Sequence, residues 1–274
     1  MVERVGLEEI PMEPWQIIVA LIQGFVEWLP ISSEGQAVLF VYNFSSVPPS
    51  ELITLVAWLH LGTALAVVVR YPRTILEVVT LKDRELFKNL LIATICTAIT
   101  AIPLYFFLKD SISSFQGEIL NVLVGLLLVV TAIVLYLPTM RASSEGSRDI
   151  EPTPKVSAIT GLVQGFSVLP GLSRSGVTVS ALLMQKVSKE TALRFSFLMS
   201  VPAVLGIFAV ELLTGGAVLP SIAPVDLILI EAIVFVFGLL SMEFLLRVAR
   251  RISFWKLCLL LGIIAIVFGI PVLF

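Results

Sequence analysis

Charged residues are scarce in this 274-residue chain: Asp, Glu, Lys and Arg make up 14% of it, whereas 58% is hydrophobic. The mean hydropathy of +1.03 is typical of proteins with several membrane-spanning helices. The formal net charge is only −2, and the charges are confined to short segments. We therefore predict an all-α polytopic membrane protein with no nucleic-acid partner.

Cysteine and histidine are nearly absent, with two Cys and one His. Cys96 and Cys258 fall in apolar stretches, which predicts packed thiols rather than a disulfide or a metal pair. The N-terminus also lacks the basic start of a secretory signal, because residues 1–13 contain four Glu and one Arg. We therefore expect no signal peptide.

Six apolar runs are long enough, or nearly so, to cross a hydrocarbon layer of about 30 Å. They cover approximately 52–69, 90–108, 119–137, 195–213, 227–246 and 257–274. Lys and Arg cluster in three of the connecting segments, whereas the loop near 214–226 contains neither. This distribution predicts that the three basic loops are cytoplasmic and that the bare loop lies outside.

One sequence pattern occurs twice, at 23–35 and at 164–176: Gln-Gly-Phe, then Leu-Pro, then a serine-rich turn. We predict a helix, a break and a second helix at 15–44 and again at 157–186, each element re-entering on the side from which it came. A broken helix at membrane depth persists only where it lines a protein cavity or a wet site. Paired broken helices therefore indicate where a ligand binds.

The chain divides into two halves, 1–137 and 156–274, joined by a polar cytoplasmic linker at 138–155. Each half has one re-entrant helix-loop-helix element and three of the six transmembrane helices. Because three is odd, the second half must be inverted relative to the first, an inverted-topology repeat common among transporters. The two re-entrant tips can then meet near the midplane. The alternative is eight ordinary helices kinked by proline, which would bury the charges of the motifs without a cavity.

The first motif places two polar side chains on one helix face, because Gln23 and Glu27 are four residues apart. The carboxylate can hold a divalent cation, orient water or act as a general base. A single Glu is a weak metal site, since Mg²⁺ usually needs substrate oxygens to complete its shell. The alternative is a structural ion pair between Glu27 and Arg174, and both roles can coexist.

The turn of the second motif is suited to a phosphate group. Its glycines, among them Gly176, let the backbone turn tightly, and the helix that restarts near Ser175 directs unpaired N–H groups at the turn. Arg174 adds a planar fork for two phosphate oxygens. Ser173, Ser175 and Thr178 supply hydroxyls as donors or as a nucleophile. The alternative is a capped kink whose arginine extends to the interface.

Other polar residues are candidates that also have simpler structural explanations or lie near the end of an apolar run. Ser32, Ser33 and Glu34 form the matching turn of the first motif, where helix capping is the simpler explanation. His60, the only histidine, lies in the first apolar run and is either a packing residue or a proton shuttle near neutral pH. Glu211 lies close to the outer end of its run, where we expect water, and is a candidate for an outer site.

Together these motifs resemble those of the undecaprenyl-pyrophosphate phosphatase family, integral-membrane enzymes linked to bacitracin resistance. The resemblance covers nearly the whole chain, with further matches at 61–68 and 195–202. Its two main patterns are Gln23-x-x-x-Glu27-x-Leu29-Pro30-x-Ser32-Ser33-x-Gly35 and Pro170-Gly171-x-Ser173-Arg174-Ser175-Gly176-x-Thr178.

The resemblance implies hydrolysis of a polyprenyl, undecaprenyl-type pyrophosphate to the monophosphate, which recycles the lipid carrier for glycan assembly. It also implies a plasma-membrane protein with an outward-facing site, a divalent cation (Mg²⁺ or Ca²⁺) and frequent homodimers. From the residues and the resemblance together, the catalytic candidates are Glu27, Ser33, His60, Ser173 and Arg174. The phosphate-binding candidates are Ser32, Ser33, Ser173, Arg174, Ser175, Gly176 and Thr178. The metal candidate is Glu27, with Gln23 nearby.

The chain departs from the family pattern in three places. Gln23 stands where the family often has Glu, which leaves one carboxylate instead of two. Glu34 and Gln36 stand in place of the usual Thr-Gly-His, so the catalytic histidine is missing from its position, while the position of His60 often carries Gln in the family. We hypothesise a reciprocal exchange, in which His60 takes over proton transfer and Glu34 restores the lost negative charge.

Two rival functions use the same residues. An inverted repeat could move polyprenyl phosphate across the membrane as a flippase, with the arginine and serines holding the headgroup. A degenerate relative could bind the lipid without turnover. For the enzyme, the sequence does not separate attack by Ser33 or Ser173 from direct attack by water.

Overall fold

The computed structural model describes residues 12–112, 117–141, 151–214, 219, 222–248 and 253–269, and its regular elements within these ranges are all helical. The helices are α1 (Pro14–Val26), α2 (Ser33–Phe44), α3 (Pro49–Arg70), α4 (Pro72–Val79), α5 (Arg84–Ile112), α6 (Gly117–Arg141), α7 (Pro154–Gly165), α8 (Arg174–Met184), α9 (Lys189–Leu213), α10 (Pro224–Val248) and α11 (Phe254–Gly269). A short 3-10 turn, Phe166–Val168, follows α7.

Long apolar helices account for the hydropathy of the chain. Within the described ranges, α5, α6, α9 and α10 each contain a stretch long and apolar enough to cross a membrane. The helices α3 and α4 meet at a 92° bend and provide a fifth if the pair is counted as one span, whereas the apolar part of α11, Trp255–Val267, is shorter. Each of the six predicted apolar runs overlaps one helix: α3, α5, α6, α9, α10 or α11.

Both repeated motifs fold as a helix, a break and a second helix, as their sequences predict. The first break lies between α1 and α2, and the second between α7 and α8. In each, a serine forms the N-cap of the second helix: the Ser32 hydroxyl accepts from the Gly35 N–H at 3.1 Å, and the Ser173 hydroxyl accepts from the Gly176 N–H at 3.2 Å. These bonds satisfy N–H groups at the helix start, which would otherwise lack partners.

The two breaks contact each other directly. The Ser32 hydroxyl also accepts a hydrogen bond from the Gly171 N–H at 3.1 Å, and the Ser175 hydroxyl donates to the Leu29 carbonyl at 3.3 Å. The backbones approach so closely that a Cβ atom on Gly35 would lie 3.0 Å from the Gly171 Cα. Residues far apart in sequence therefore form one compact turn region.

Gly171 is required at this junction. Its φ is +106°, and a Cβ there would lie 2.6 Å from the Val124 carbonyl oxygen on α6. Thr131, also on α6, donates to the Gly171 carbonyl at 3.0 Å and accepts from the Ser173 N–H at 3.1 Å. The middle of α6 thus supports the second turn from behind and fixes its position relative to the first.

The first helix of each motif packs on a long helix remote from it in sequence, α1 on α10 and α7 on α5. Other large contacts join α6 with α11, α3 with α10 and α3 with α9. Trp28, which is 1% exposed, donates its indole N–H to the Gly238 carbonyl of α10 at 2.7 Å. The residues just after α1 are consequently held against α10 at the start of the first break.

Candidate functional site

A cavity of about 190 Å³ lies beside the two breaks and extends along α3, α5 and α9. This volume is many times the roughly 10–15 Å³ that a single water requires. The predicted site residues that line the cavity are Glu27, Ser32, Ser33, Glu34, His60, Ser173 and Arg174. Most of the chemistry-bearing residues of both motifs therefore meet around one cavity.

Glu27 is at the centre of the hydrogen bonds around this cavity. One carboxylate oxygen, Oε1, accepts from Arg174 Nη2, so the ion pair that the sequence allows is present. The other oxygen, Oε2, accepts from Gln23 Nε2 at 2.8 Å and from Ser33 Oγ at 2.5 Å. Glu27 is only 5% exposed. Buried charges of this kind require a paired charge and hydrogen bonds, and Glu27 has both.

Arg174 retains capacity to bind another anion. Its guanidinium carbon lies 5.8 Å from the centre of the Trp28 ring, a distance that allows a cation–π interaction. Its Nη1 is buried, and no residue in the described ranges accepts a hydrogen bond from it. Arg174 also lines the cavity, so this cation lies beside the space in which an anionic group could bind.

The His60 ring is oriented by the backbone of its own helix. His60 Nδ1 lies 2.6 Å from the Val56 carbonyl oxygen, and because a carbonyl only accepts, Nδ1 is the nitrogen that carries hydrogen. The other nitrogen, Nε2, lies 3.4 Å from Glu27 Oε2 and 3.9 Å from Glu34 Oε1. The side chain is 11% exposed. His60 and Glu34 therefore lie next to the Glu27 carboxylate.

Three of the four predicted serines line the cavity, and they make different contacts. The Ser33 hydroxyl donates to Glu27, so it stands beside a potential base. The Ser173 hydroxyl caps α8 and lies 3.3 Å from Ser175 Oγ, with no carboxylate among its recorded contacts. The Ser32 hydroxyl accepts from two backbone N–H groups. Capping, the simpler explanation considered for this turn, thus applies to Ser32, while Ser33 contacts the carboxylate.

Three predicted phosphate-binding residues do not line the cavity. Ser175 contacts the Leu29 carbonyl across the two breaks, and Gly176 donates its N–H to the α8 cap. The Thr178 hydroxyl donates to the Arg174 carbonyl at 2.8 Å and lies 2.6 Å from Ser196 Oγ on α9. In this structure these residues hold the turn and α8 in place.

The two remaining candidates also lie away from the cavity lining. Gln36 follows Glu34 on α2, and its Nε2 is buried without a hydrogen-bond partner in the described part of the chain. Glu211 differs from the expectation of nearby water, because it is fully buried. It accepts from Tyr105 and from Lys109 Nζ, the latter at 3.0 Å, which links the ends of α5 and α9.

Sequence reasoning missed the contribution of α5 and α9 to the cavity. Thr94 and Thr97 from α5 and Ser200 from α9 line it, as does Gln164, whose Nε2 donates to Thr97 Oγ1 at 3.0 Å. Gln164 occupies the same place in the second motif as Gln23 in the first, so the repeat itself was a usable signal. The small polar residues could have been noted because such residues are enriched where membrane helices pack together.

The carboxylates at the cavity suit a cation that takes some of its ligands from the protein and the others from a substrate. No group of three His, Cys, Asp or Glu side chains in the described ranges is placed to hold a metal by itself. Glu34 Oε2, however, is buried with no hydrogen-bond partner from those ranges, and Glu34 and Glu27 both approach His60 Nε2. Mg²⁺ is commonly bound by one or two carboxylates plus substrate phosphates. Glu27 and Glu34 fit that pattern.

An arginine, a hydroxyl bonded to a carboxylate and an oriented imidazole lie together around the cavity, and such groups are suited to a phosphate-type anion. They lie within a protein built of long apolar helices, so the class is a multi-pass membrane protein acting on a phosphorylated molecule. The family described as Bacitracin resistance protein BacA matches residues 16–267. The chain belongs to this family.

Similar proteins match this chain over nearly their whole length, which supports the family assignment. The chain is 40% identical to the undecaprenyl-diphosphatase of Methanopyrus kandleri, covering 93% of this chain and 96% of the relative. It is 37% identical to the undecaprenyl-diphosphatase of Methanothrix thermoacetophila, covering 91% and 94% respectively. It is 36% identical to that of Haloarcula marismortui, covering 93% and 97%.

The buried ion pair makes a prediction about stability. Arg174→Met leaves the Glu27 carboxylate without its partner cation, and we expect it to lower the free energy of unfolding by about 3–5 kcal/mol. The double variant Glu27→Gln/Arg174→Met should lose less than Arg174→Met alone, because no unpaired charge remains. Unfolding in detergent measures both.

A matched control is Arg70→Met. It removes the partner of Glu243, but that pair is partly exposed, with side chains 36% and 45% accessible, and we expect about 0–1 kcal/mol. Equal losses for Arg70→Met and Arg174→Met would contradict a special role for the buried pair.

Proposed function

We propose that this chain is an integral-membrane phosphatase that hydrolyses an undecaprenyl-type polyprenyl pyrophosphate to the monophosphate and phosphate. The observation that carries the proposal is the contact of Glu27 with both the Ser33 hydroxyl and Arg174 inside the cavity. This contact supports the proposal, because a hydroxyl, a carboxylate and a guanidinium suited to act as nucleophile, base and anion-binding group lie around one point. The names of the relatives supply the substrate.

In the proposed reaction, Arg174 binds the terminal phosphoryl group with the part of its fork that Glu27 leaves free. The Ser33 oxygen attacks the terminal phosphorus while its proton passes to Glu27. The bond between that phosphorus and the bridging oxygen breaks, and polyprenyl monophosphate leaves. A water then attacks the phosphoserine, Glu27 returns the proton to the Ser33 oxygen, and His60 accepts the proton of the water. Arg174 stabilises the charge on the transferring group throughout.

Ser33 is the better nucleophile of the two serine candidates. Its hydroxyl lies 2.5 Å from Glu27 Oε2, within the reach required of a general base. The Ser173 hydroxyl serves as the cap of α8. Direct attack by water remains the alternative that the Ser33 variant below tests.

His60 is suited to the proton transfer that the family resemblance assigns to a histidine at position 36, where this chain has Gln. Its Nδ1 donates to Val56, which leaves Nε2 directed at Glu27 and Glu34. Glu34 supplies the second carboxylate that Gln23 does not. These contacts support proton transfer by His60, which the reciprocal exchange requires, whereas Gln36 lies outside the cavity lining.

The proposed cofactor is a divalent cation, Mg²⁺ or Ca²⁺. Glu27 and Glu34 would hold it together with oxygens of the pyrophosphate, because Mg²⁺ usually takes part of its shell from substrate phosphates. When bound, it would neutralise charge on the pyrophosphate. Gln23 would act by orienting Glu27, to which it donates a hydrogen bond.

The proposed architecture has six transmembrane helices and two re-entrant elements in an inverted-topology repeat, with halves 1–137 and 156–274 and a linker at 138–155. The packing supports it, since exchanging the halves converts the α1–α10 pair into the α7–α5 pair and leaves the α3–α9 and α6–α11 pairs unchanged. We further propose a plasma-membrane location, an outward-facing site and a homodimer.

The first test is phosphate release from farnesyl pyrophosphate by the purified protein in detergent. We expect turnover with Mg²⁺ or Ca²⁺ and loss with EDTA. Glu27→Ala and Arg174→Ala should each lower kcat by at least about 100-fold, the usual effect of removing a group that stabilises the transition state. Arg70→Ala, which breaks an ion pair outside the cavity, should retain activity. Folded protein that binds the lipid without turnover would instead indicate a carrier transporter or a binding protein.

Ser33→Ala and Ser173→Ala form a matched pair that tests the nucleophile. Ser33→Ala should abolish turnover while lipid binding persists, because the attacking oxygen is gone. Ser173→Ala should mainly lower stability, by about 1 kcal/mol, through loss of a helix cap. Steady-state kinetics and thermal unfolding separate the two effects. Turnover that survives Ser33→Ala would mean that water attacks directly.

His60→Ala should lower kcat by about 10²–10⁴-fold, the usual contribution of a general acid or base. Added imidazole should restore part of the rate. The double variant Gln36→His/His60→Gln should be more active than either single variant, because it restores the arrangement usual in the family. Full activity of a folded His60→Ala protein would disprove the exchange.

A further inference from the structure

The cavity changes character with distance from the charged residues. Around Glu27 and Arg174 its lining is polar, whereas farther along α5 and α9 it is formed by small and aliphatic residues. Among the apolar lining residues are Ala98, Ala101 and Ile102 on α5 and Ala203, Gly206 and Ile207 on α9, and Tyr105 lines the same part of the cavity. From Ser200, the polar lining residue of α9, to Gly206 the helix rises about 9 Å. One end of the space thus suits an anion and the other suits a hydrocarbon.

Only two of the lining residues, all of which are described, are exposed at the surface: Ile102 and Gly206. Both belong to the apolar part of the cavity, one on each of two helices that pack against each other. The cavity lining thus reaches the protein surface at these two positions of α5 and α9. We refer to this place, marked by Ile102 and Gly206, as the lateral opening.

The lateral opening lies on a surface suited to lipid. Ile102 is 39% exposed, and Ile99, Phe106 and Leu205 on the same two helices are also exposed apolar residues. The opening falls within stretches of α5 and α9 that are long and apolar enough to cross a membrane. A molecule that leaves the cavity here enters an apolar environment without crossing a polar surface.

Gly206 keeps this opening free of side-chain atoms. A Cβ atom added at Gly206 would meet nothing within 4 Å, in contrast to Gly62, where the nearest atom would lie at 2.8 Å. Close packing of α9 therefore does not require glycine at position 206. A larger side chain at this lining position would occupy space that is empty in the structure.

We infer that the isoprenoid chain of the substrate leaves the headgroup site through the lateral opening between α5 and α9, and that Gly206 determines access for long chains. The inference rests on the proposed phosphatase function, which supplies a substrate with an anionic head and a long apolar tail. That substrate matches a cavity that is polar at one end, apolar at the other and open to the lipid side.

The test compares Gly206→Phe with Leu205→Phe, a control at the adjacent exposed position, which does not line the cavity. On a long-chain polyprenyl pyrophosphate, Gly206→Phe should raise KM by at least about tenfold, the effect of obstructing a few apolar contacts. On isopentenyl pyrophosphate, whose chain is too short to reach the opening, KM should stay unchanged. Leu205→Phe should alter neither value. Equal effects of Gly206→Phe on both substrates, or no effect on either, would overturn the inference.

A second readout does not depend on turnover. A farnesyl pyrophosphate analogue with a photoreactive group in its tail should cross-link to peptides of α5 and α9 near Ile102 and Gly206, and Gly206→Phe should reduce the yield. Cross-links elsewhere would overturn the inference even in an active enzyme. Cross-links at the opening of a protein that releases no phosphate would support the lipid path and disprove the phosphatase.

Discussion

The ion pair between Glu27 and Arg174 is the interaction on which the site depends. The two residues lie 147 positions apart in the chain. Glu27 directly follows α1 and Arg174 begins α8, so each lies at the break of one motif. Neither charge is tolerable alone in an apolar interior, because the desolvation of an unpaired ion costs several kcal/mol. The two charges can therefore pair only when the two breaks meet. The same meeting of the breaks brings residues of both motifs around one cavity.

Uncharged groups at the junction also find their hydrogen-bond partners only when the two breaks meet. Ser32 contacts Gly171, and the close approach of Gly35 to Gly171 leaves no space for a side chain. Thr131 on α6 binds both the carbonyl of Gly171 and the N–H of Ser173. Backbone groups freed by the two helix breaks thus find partners within the protein, as they must where water is scarce. The polar end of the cavity is the part of this network that still has unused capacity.

Residues of the same type at this site differ in which groups they contact. Ser33 has a carboxylate partner, whereas Ser173 and Ser32 are engaged as caps. His60 presents Nε2 to two carboxylates only because Val56 occupies Nδ1. In each case the neighbouring backbone or carboxylate assigns the role. Likewise, Gln23 donates a hydrogen bond to Glu27, whereas the Gln36 Nε2 has no partner in the described part of the chain.

The sequence by itself determined the helices, the two breaks and the presence of Glu27 and Arg174 beside them. These follow from local effects: the hydropathy of each run, the interruption of helices by proline and glycine, capping by serine, and the cost of charge in an apolar segment. It did not exclude Ser175, Gly176 and Thr178 from the cavity lining, and it did not reveal Gln164, Thr97 or the opening beside Gly206. Those depend on how α5 and α9 are placed around the breaks. Only the tertiary structure decided them, because the direction of a side chain on an apolar helix is fixed by contacts with residues far away in the chain.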